Sequence, residues 1–352
     1  MIISDSFLPI VLDKIIAHNA SPILVGGCVR DAFLQLDVKD YDIEVFGLDL
    51  LEELEDILEE FGDVNLVGKS FGILKLSTKD MEYDFSFPRL EKKIEDGHRG
   101  FDVRVDGSLD FYTASKRRDF TINAIGYDYK NKTYLDPFDG INHLNKKLLK
   151  HIDDDTFCED ALRVYRAVQF AARFEFTLDP LTHRLCKKIV QTDEFKNLSK
   201  ERIYEEYKKL FLKSIHPSIG LTLLSDLKIE DISENTKVCI DEIVSQVSDG
   251  REKLILIFSL LDTLFLKISD DKKLLKEIRS LQQFITPRIF KSKINKNDAF
   301  IDRLIVKNNI RYNLRKPLYM GKDLIKMGYV PNEKFKTILD TLYKMQLNGE
   351  IC

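Results

Sequence analysis

The 352-residue chain is 44% apolar and 32% charged, with 54 Lys+Arg against 58 Asp+Glu and a net charge of −4. That length holds two or three domains with sizeable cores, and the composition excludes a disordered or membrane-spanning chain. The longest apolar runs, such as Leu254 to Leu261, fall well short of the roughly 20 residues that span a bilayer.

In chain order, the apolar run Ile23–Val25 predicts a short strand ending at Gly26-Gly27. A helix is expected from Val29 to about Leu36, then a strand over Tyr41–Phe46 and an acidic helix from about Leu50 to Phe61. Strands are predicted over Ile73–Ser77 and Tyr83–Phe87. Beyond about residue 141 strand signals fade. Helical periodicity takes over, broken at Pro180, Pro217, Pro287, Pro317 and Pro331. The expected fold class is α/β (α+β), with a small mixed sheet in a head over residues 1–140. An all-α remainder would comprise a neck over 141–212, a body over 213–290 and a tail over 291–352. The tail region is basic: residues 284–352 hold 14 Lys+Arg against 6 Asp+Glu, on an otherwise acidic chain. Such a block can serve as an electrostatic footprint for an RNA backbone. Five scattered cysteines (Cys28, Cys158, Cys186, Cys239, Cys352) include no Cys-x-x-Cys pair, which argues against structural zinc and a disulfide framework. The opening Met-Ile-Ile-Ser-Asp-Ser has no basic-then-apolar leader pattern, so a reducing cytoplasm is the expected setting, with no membrane association.

Several strings carry chemistry. Asp42 and Glu44 alternate onto one face of their predicted strand. Adjacent carboxylates repel, and a shared hard cation such as Mg²⁺ relieves that repulsion. The Gly26-Gly27 turn ahead of a helix offers backbone amides to an anion, a phosphate seat. Asp84, in Tyr-Asp-Phe-Ser-Phe, is a candidate third acid. Arg118, Asp119 and Asn123 share one face of a predicted helical turn and have the donors and acceptors for a ribose. On a helix read over 159–174, Asp160 and Arg163 are surface neighbours. They form either an ion pair or a base reader. A carboxylate accepts from the exocyclic amine of cytosine or adenine, and a guanidinium donates to the adjacent ring nitrogen. Uracil and guanine present the opposite polarity.

Taken together, these strings resemble the motifs of class II tRNA nucleotidyltransferases and bacterial poly(A) polymerases, in the polymerase-β-like superfamily. The first motif is Gly26-Gly27-Cys28-Val29-Arg30-Asp31 with Asp42-Ile43-Glu44. The second is Arg117-Arg118-Asp119-Phe120-Thr121-Ile122-Asn123-Ala124, and the third Leu135-Asp136-Pro137-Phe138-Asp139-Gly140. The fourth opens at Glu159-Asp160-Ala161-Leu162-Arg163 and the fifth runs from Glu201-Arg202 to Tyr207. The resemblance implies two Mg²⁺ ions on Asp42 and Glu44, assisted by Asp84, and a triphosphate seat at Gly26, Gly27 and Arg30. It implies ribose recognition by Arg118, Asp119 and Asn123, and base selection by Asp160 and Arg163 with Arg166 on the same helix. Glu159 and Arg202 would support that helix, Asp139 would orient a neck arginine, and Gly140 would hinge head and neck.

The stretch from Arg89 and Glu91 through Gly97, Arg99 and Gly100 to Arg104 resembles the flexible loop of CCA-adding enzymes. Val67-Gly68-Lys69-Ser70-Phe71-Gly72 and Ala124 follow the CCA-adding pattern rather than that of poly(A) polymerases. The tail strings Pro317 to Leu324 and Gln346 to Glu350 are similar to tails of longer CCA-adding enzymes. With six histidines and no His-Asp doublet, the phosphohydrolase activity of some of those enzymes is not expected. The implied reaction is template-independent CCA addition to a tRNA 3′ end from CTP and ATP, with the tail gripping the tRNA elbow. A CC-adding or A-adding specialist, a poly(A) polymerase and a non-catalytic RNA-binding protein remain as alternatives.

Overall fold

The computed structural model describes residues 3, 5–38, 40–67, 72–78, 82–93, 101–285, 318–331 and 334–347. The chain divides into two compact units, one of residues 1–206 with 219–231, the other of 207–218 with 232–352.

The first unit opens with α1 (Leu8–Ala17), whose Leu8, Val11, Leu12 and Ile15 are all buried at helical spacing. Then come β1 (Ser21–Val25), α2 (Gly27–Phe33), β2 (Tyr41–Phe46) and α3 (Leu51–Glu59). They are followed by β3 (Asp63–Val67), β4 (Ile73–Ser77), β5 (Glu82–Ser86), β6 (Arg89–Lys93) and β7 (Phe101–Val105). Next are α4 (Phe111–Ser115), a 3₁₀ turn over Thr121–Asn123, β8 (Gly126–Asp128) and β9 (Thr133–Leu135). Seven strands form one sheet in the order β3-β4-β5-β2-β1-β8-β9. Every pairing in it is antiparallel except β2 with β5. Ile43, Val45, Tyr83 and Phe85 fill the face opposite Asp42 and Asp84, each at most 2% exposed. β6 and β7 form a separate antiparallel pair.

After β9 come α5 (Gly140–Asn145), β10 (Leu148–Leu149), α6 (Asp154–Cys158) and α7 (Arg163–Phe174). β11 (Thr177–Leu178), α8 (Pro180–Ile189) and α9 (Asp193–Lys196) follow, then α10 (Lys200–Lys213) and α11 (Pro217–Asp226), whose residues are divided between the two units. β10 and β11 make a two-residue parallel ladder in the stretch expected to be purely helical. Periodicity cannot see strands of two residues.

The predicted strands agree with β1, β2, β4 and β5 to within two residues at each end. Two helices differ more. α2 begins at Gly27, because Gly26 takes φ +70° and turns the chain straight from β1 into the helix. α7 begins at Arg163 rather than Glu159, because Asp160 turns back to accept the amide of Leu162 at 3.1 Å.

The second unit contains α12 (Glu234–Gln246), α13 (Gly250–Leu260), α14 (Asp262–Ile268) and α15 (Lys272–Ile285), with later helices over Gly321–Lys326 and Lys334–Leu347. Phe258 is fully buried there and packs its ring on Phe211 and Phe265. Among the described residues no helix is long and apolar enough to cross a membrane.

Candidate active site

The acidic centre is built by three neighbouring strands. β1 delivers the chain to Gly26, with Val25 in register with Asp42 of β2. β5 runs parallel to β2 and sets Asp84 opposite Asp42. A Cβ on Gly26 would stand 3.1 Å from Arg118 Nη1 and 3.6 Å from Asp42 Oδ2, so the missing side chain leaves the space between cation and acid open. Below the turn the Cys28 thiol donates to the Val25 carbonyl at 3.2 Å, and burial pushes its pKa up to about 12. That thiol is inert filler rather than a nucleophile.

The two strand acids differ sharply. Asp42 reaches solvent but lies in a crowded recess. Loss of hydration raises its carboxyl above the ordinary range, Arg118 pulls it back, and Asp84, Asp40 and Glu44 push it up again. Glu44 is 1% exposed. Its Oε1 accepts from Arg117 Nη2 at 2.5 Å and Arg118 Nη2 at 2.8 Å, whereas its Oε2 has no hydrogen-bond partner. Asp84 Oδ1 is likewise without a hydrogen bond, its nearest cation being Lys75 Nζ at 3.6 Å. Among the described residues no three acidic, histidine or cysteine side chains gather around one point as placed. The donors nonetheless suit a divalent hard cation: all are carboxylate oxygens, Glu44 Oε2 and Asp84 Oδ1 make no hydrogen bond, and phosphate or water can supply the remaining ligands.

Asp119 is a hub. It is 7% exposed, and its Oδ1 accepts from the Phe120 amide at 2.8 Å and Asn123 Nδ2 at 2.9 Å. Its Oδ2 receives Arg166 of α7 through Nε and Nη2, both at 2.7 Å. Burial raises the Asp119 carboxyl, but Arg166, the Asn123 amide and Arg163 outweigh it and hold the group below the ordinary carboxylate range. Four donors occupy its oxygens, so Asp119 joins β-sheet head to α7 rather than presenting itself to a ribose. Asn123 is also engaged, accepting from Arg30 Nη1 at 2.5 Å.

Arg30 is likewise placed differently from the expected triphosphate seat. It is 4% exposed, pairs with Asp31 at 2.6 Å, and lies 5.3 and 4.7 Å from the ring centres of Phe170 and Phe174. Asp31 also takes Arg173 at 3.2 Å. Arg30 therefore fastens α2 to α7 behind the glycine turn, which leaves Gly26, Gly27 and Arg118 facing the acids.

Asp160 and Arg163 do not pair with each other. Asp160 Oδ2 accepts from Arg202 Nη2 of α10 at 2.7 Å. Arg163 donates to the Thr156 carbonyl at 2.5 Å and the Arg117 carbonyl at 2.7 Å. Each is braced separately and keeps spare capacity: carboxylate lone pairs on one, guanidinium N–H groups on the other. Glu159 is half-buried at the end of α6.

The third motif is placed differently from expectation. Asp139 accepts from Asn142 Nδ2 at 2.7 Å, and among the described residues no arginine pairs with it. A Cβ on Gly140 would lie 2.3 Å from the Thr121 carbonyl oxygen, so the glycine permits a close packing. Asp136 takes the Gly140 and Ile141 amides at 2.6 and 2.9 Å and sets the turn. In the loop, Arg89 opens β6, while Arg99, Gly97, Gly100 and the side chain of Glu91 lie outside the described residues. The same holds for residues 68–71, Pro317 and the string from Asn348 to Glu350.

Sequence reasoning passed over Arg117, Asp31 and Lys75. Arg117 adjoins Arg118 in the same motif, and that doublet is the signal that could have marked it.

Residues 23–150 match the family described as the poly A polymerase head domain. Residues 175–232 match a second, described as a probable RNA and SrmB-binding site of polymerase A. The chain is 37% identical over 207 residues to the multifunctional CCA protein of Aliivibrio salmonicida, which covers 58% of this chain and 48% of that protein. It thus spans about half the length of that relative. Its fold is similar to the Bacillus stearothermophilus CCA-adding enzyme in complex with CTP, with TM-score 0.66 at 21% identity over 98% of this chain and 93% of that one. It is similar also to the Thermotoga maritima CCA-adding enzyme complexed with tRNA, with TM-score 0.60 at 18% identity over 97% and 91%.

Proposed function

We propose that this chain is a class II CCA-adding nucleotidyltransferase of the family that includes bacterial poly(A) polymerases, and that it adds CCA to tRNA 3′ ends from CTP and ATP, releasing pyrophosphate; the matches to the poly A polymerase head domain and to the multifunctional CCA protein support this. The observation that carries the reading is the acidic centre: Asp42 and Asp84 in register across β2 and β5, and Glu44 buried beneath two arginines beside the Gly26 turn.

Asp42 and Glu44 are the groups that would hold divalent Mg²⁺, two ions in this family's chemistry. When bound, such a cation polarises the α-phosphate and the attacking hydroxyl. Asp84, in register with Asp42 across β2 and β5, is the group that would accept the proton of the tRNA 3′ hydroxyl. Arg118 and the amides of the Gly26-Gly27 turn meet the triphosphate. Asp160 accepts from the exocyclic amine of cytosine or adenine, and Arg163 donates to the neighbouring ring nitrogen. Uracil or guanine would leave buried groups unpaired, at about 1–3 kcal/mol for each mismatch. Arg202 braces Asp160, the Arg117 carbonyl braces Arg163, and Asp119 holds Arg166 on the same helix. The basic C-terminal segment grips tRNA phosphates at the elbow, and a cytoplasmic setting follows from that substrate.

The test uses three tRNA transcripts, ending at the discriminator base, at C and at CC, incubated with Mg²⁺ and CTP, ATP or both. Growth to CCA on all three, then arrest, is the expected result. Arrest after CC, action on the CC-ended substrate alone, an unbounded A tract, or no extension would overturn it in favour of a CC-adding enzyme, an A-adding enzyme, a poly(A) polymerase or a binding protein, respectively.

A further inference from the structure

The compensation of Glu44 is lopsided. A carboxylate with 1% exposure needs a positive partner. Two guanidinium groups crowd onto Oε1, while the equally buried Oε2 has no hydrogen-bond partner. Arg118 is anchored a second time, through Nη1 to the Asn123 carbonyl at 3.4 Å. Arg117 reaches Glu44 with its side chain, and its own carbonyl holds Arg163 Nη2 at 2.7 Å. One residue therefore touches a metal-holding acid with its side chain and a base reader with its backbone.

Building on the nucleotidyl-transfer reading above, we propose that Arg117 is the electrostatic stand-in for a divalent cation at Glu44, and that it passes to the triphosphate when a cation takes its place. A cation at Oε2 and a guanidinium at Oε1 of the same carboxylate repel each other, so Arg117 opposes cation binding in the absence of nucleotide. A triphosphate gives the guanidinium a better partner, since planar N–H pairs match phosphate oxygens. Cation and nucleotide then bind with a positive coupling that runs through Arg117, beyond any direct contact between them. Because the Arg117 carbonyl holds Arg163, the shift also reaches the base reader, and a cation-loaded site is the one in which Arg163 is set for its base.

Arg117→Gln tests the proposal through binding alone. Mn²⁺ is titrated into the full-length protein by electron paramagnetic resonance, with no tRNA, with and without a non-hydrolysable CTP analogue. The variant is expected to bind Mn²⁺ alone about tenfold more tightly than wild type, within the usual range of coupling effects. Its gain on adding the analogue is expected to shrink by a similar factor. Unchanged or weaker Mn²⁺ binding in the variant, or an undiminished gain, overturns the proposal. Should Arg117→Gln fail to fold, Arg117→Lys, whose ammonium reaches less far, takes its place with a smaller change in the same direction. No change in it overturns the proposal equally. If wild type extends tRNA while the variant's Mn²⁺ affinity is unaltered, only the role of Arg117 falls. If wild type neither extends tRNA nor binds Mn²⁺, the functional reading falls with it.

Discussion

Asp119→Asn puts the joint between the sheet and α7 to the test. The asparagine keeps an oxygen for the Phe120 and Asn123 donors but turns an amide NH₂ toward Arg166, donor against donor. Removing one side of a buried ion pair costs about 3–5 kcal/mol. The Arg166 side chain is 31% exposed against 7% for Asp119, so the stranded cation recovers some hydration and the lower end, about 3 kcal/mol, is expected. At about 2–4 °C per kcal/mol for a unit of this size, the first unit should melt about 6–12 °C lower. Scanning calorimetry at pH 7 reads this directly. The pH dependence has a definite sign. The folded Asp119 carboxyl lies below its unfolded value, so its stabilisation is complete above about pH 4 and is lost as pH falls through the folded value. The gap between wild type and variant should stay constant from about pH 8 to 5 and narrow below about pH 4. A melting point within about 2 °C of wild type at pH 7, or a gap that persists in acid, would refute the reasoning. A ribose-reading Asp119 would give another pattern, a raised KM for both nucleotides at an unchanged melting temperature.

Three further outcomes are expected. Asp42→Ala should abolish nucleotide incorporation while filter binding shows tRNA affinity intact; appreciable turnover would remove Asp42 from the chemistry. Arg202→Met should free Asp160 from its 2.7 Å brace and erode the exclusion of UTP by about tenfold, in line with losing one hydrogen bond to a charged group. Single-nucleotide incorporation assays measure that ratio, and an unchanged CTP preference would show that Asp160 is held by other means. Gly140→Ala drives a methyl to 2.3 Å from the Thr121 oxygen and should destabilise the first unit by about 1–3 kcal/mol through overpacking. A variant that melts with wild type would mean that α5 shifts freely.

The legible part of the molecule was the part with local signals. β2 carries β-branched and aromatic residues alternating with its acids, and its bounds could be read directly, as could those of β4. Motif order brought out the candidate acids, the glycine turn and the candidate base readers. What stayed hidden depends on distant partners. Arg30 looks like a phosphate ligand in its motif, yet Phe170, Phe174 and Asn123 draw it into the interior. Asp160 looks like the helical neighbour of Arg163, but its Asx turn onto Leu162 starts the helix later, and Arg202, far along the chain, claims it. Asp119 looked available because nothing nearby in sequence shows Arg166 arriving with two nitrogens.

The parallel pairing of β2 with β5 has a genetic consequence. Strand register is set in steps of one residue, and a slip of one step exchanges the two faces of a strand. If β5 slipped by one, Asp84 would leave the acidic centre and an aromatic ring would enter it. What forbids the slip is the opposite face, where Tyr83 and Phe85, 1% and 0% exposed, fit the interior in one alignment only. Those two rings work as a jig that holds the acids in step, although neither meets a substrate. A screen for lost activity should therefore return substitutions at Tyr83 and Phe85 alongside those at the carboxylates. Some should accumulate as folded protein with a misaligned centre.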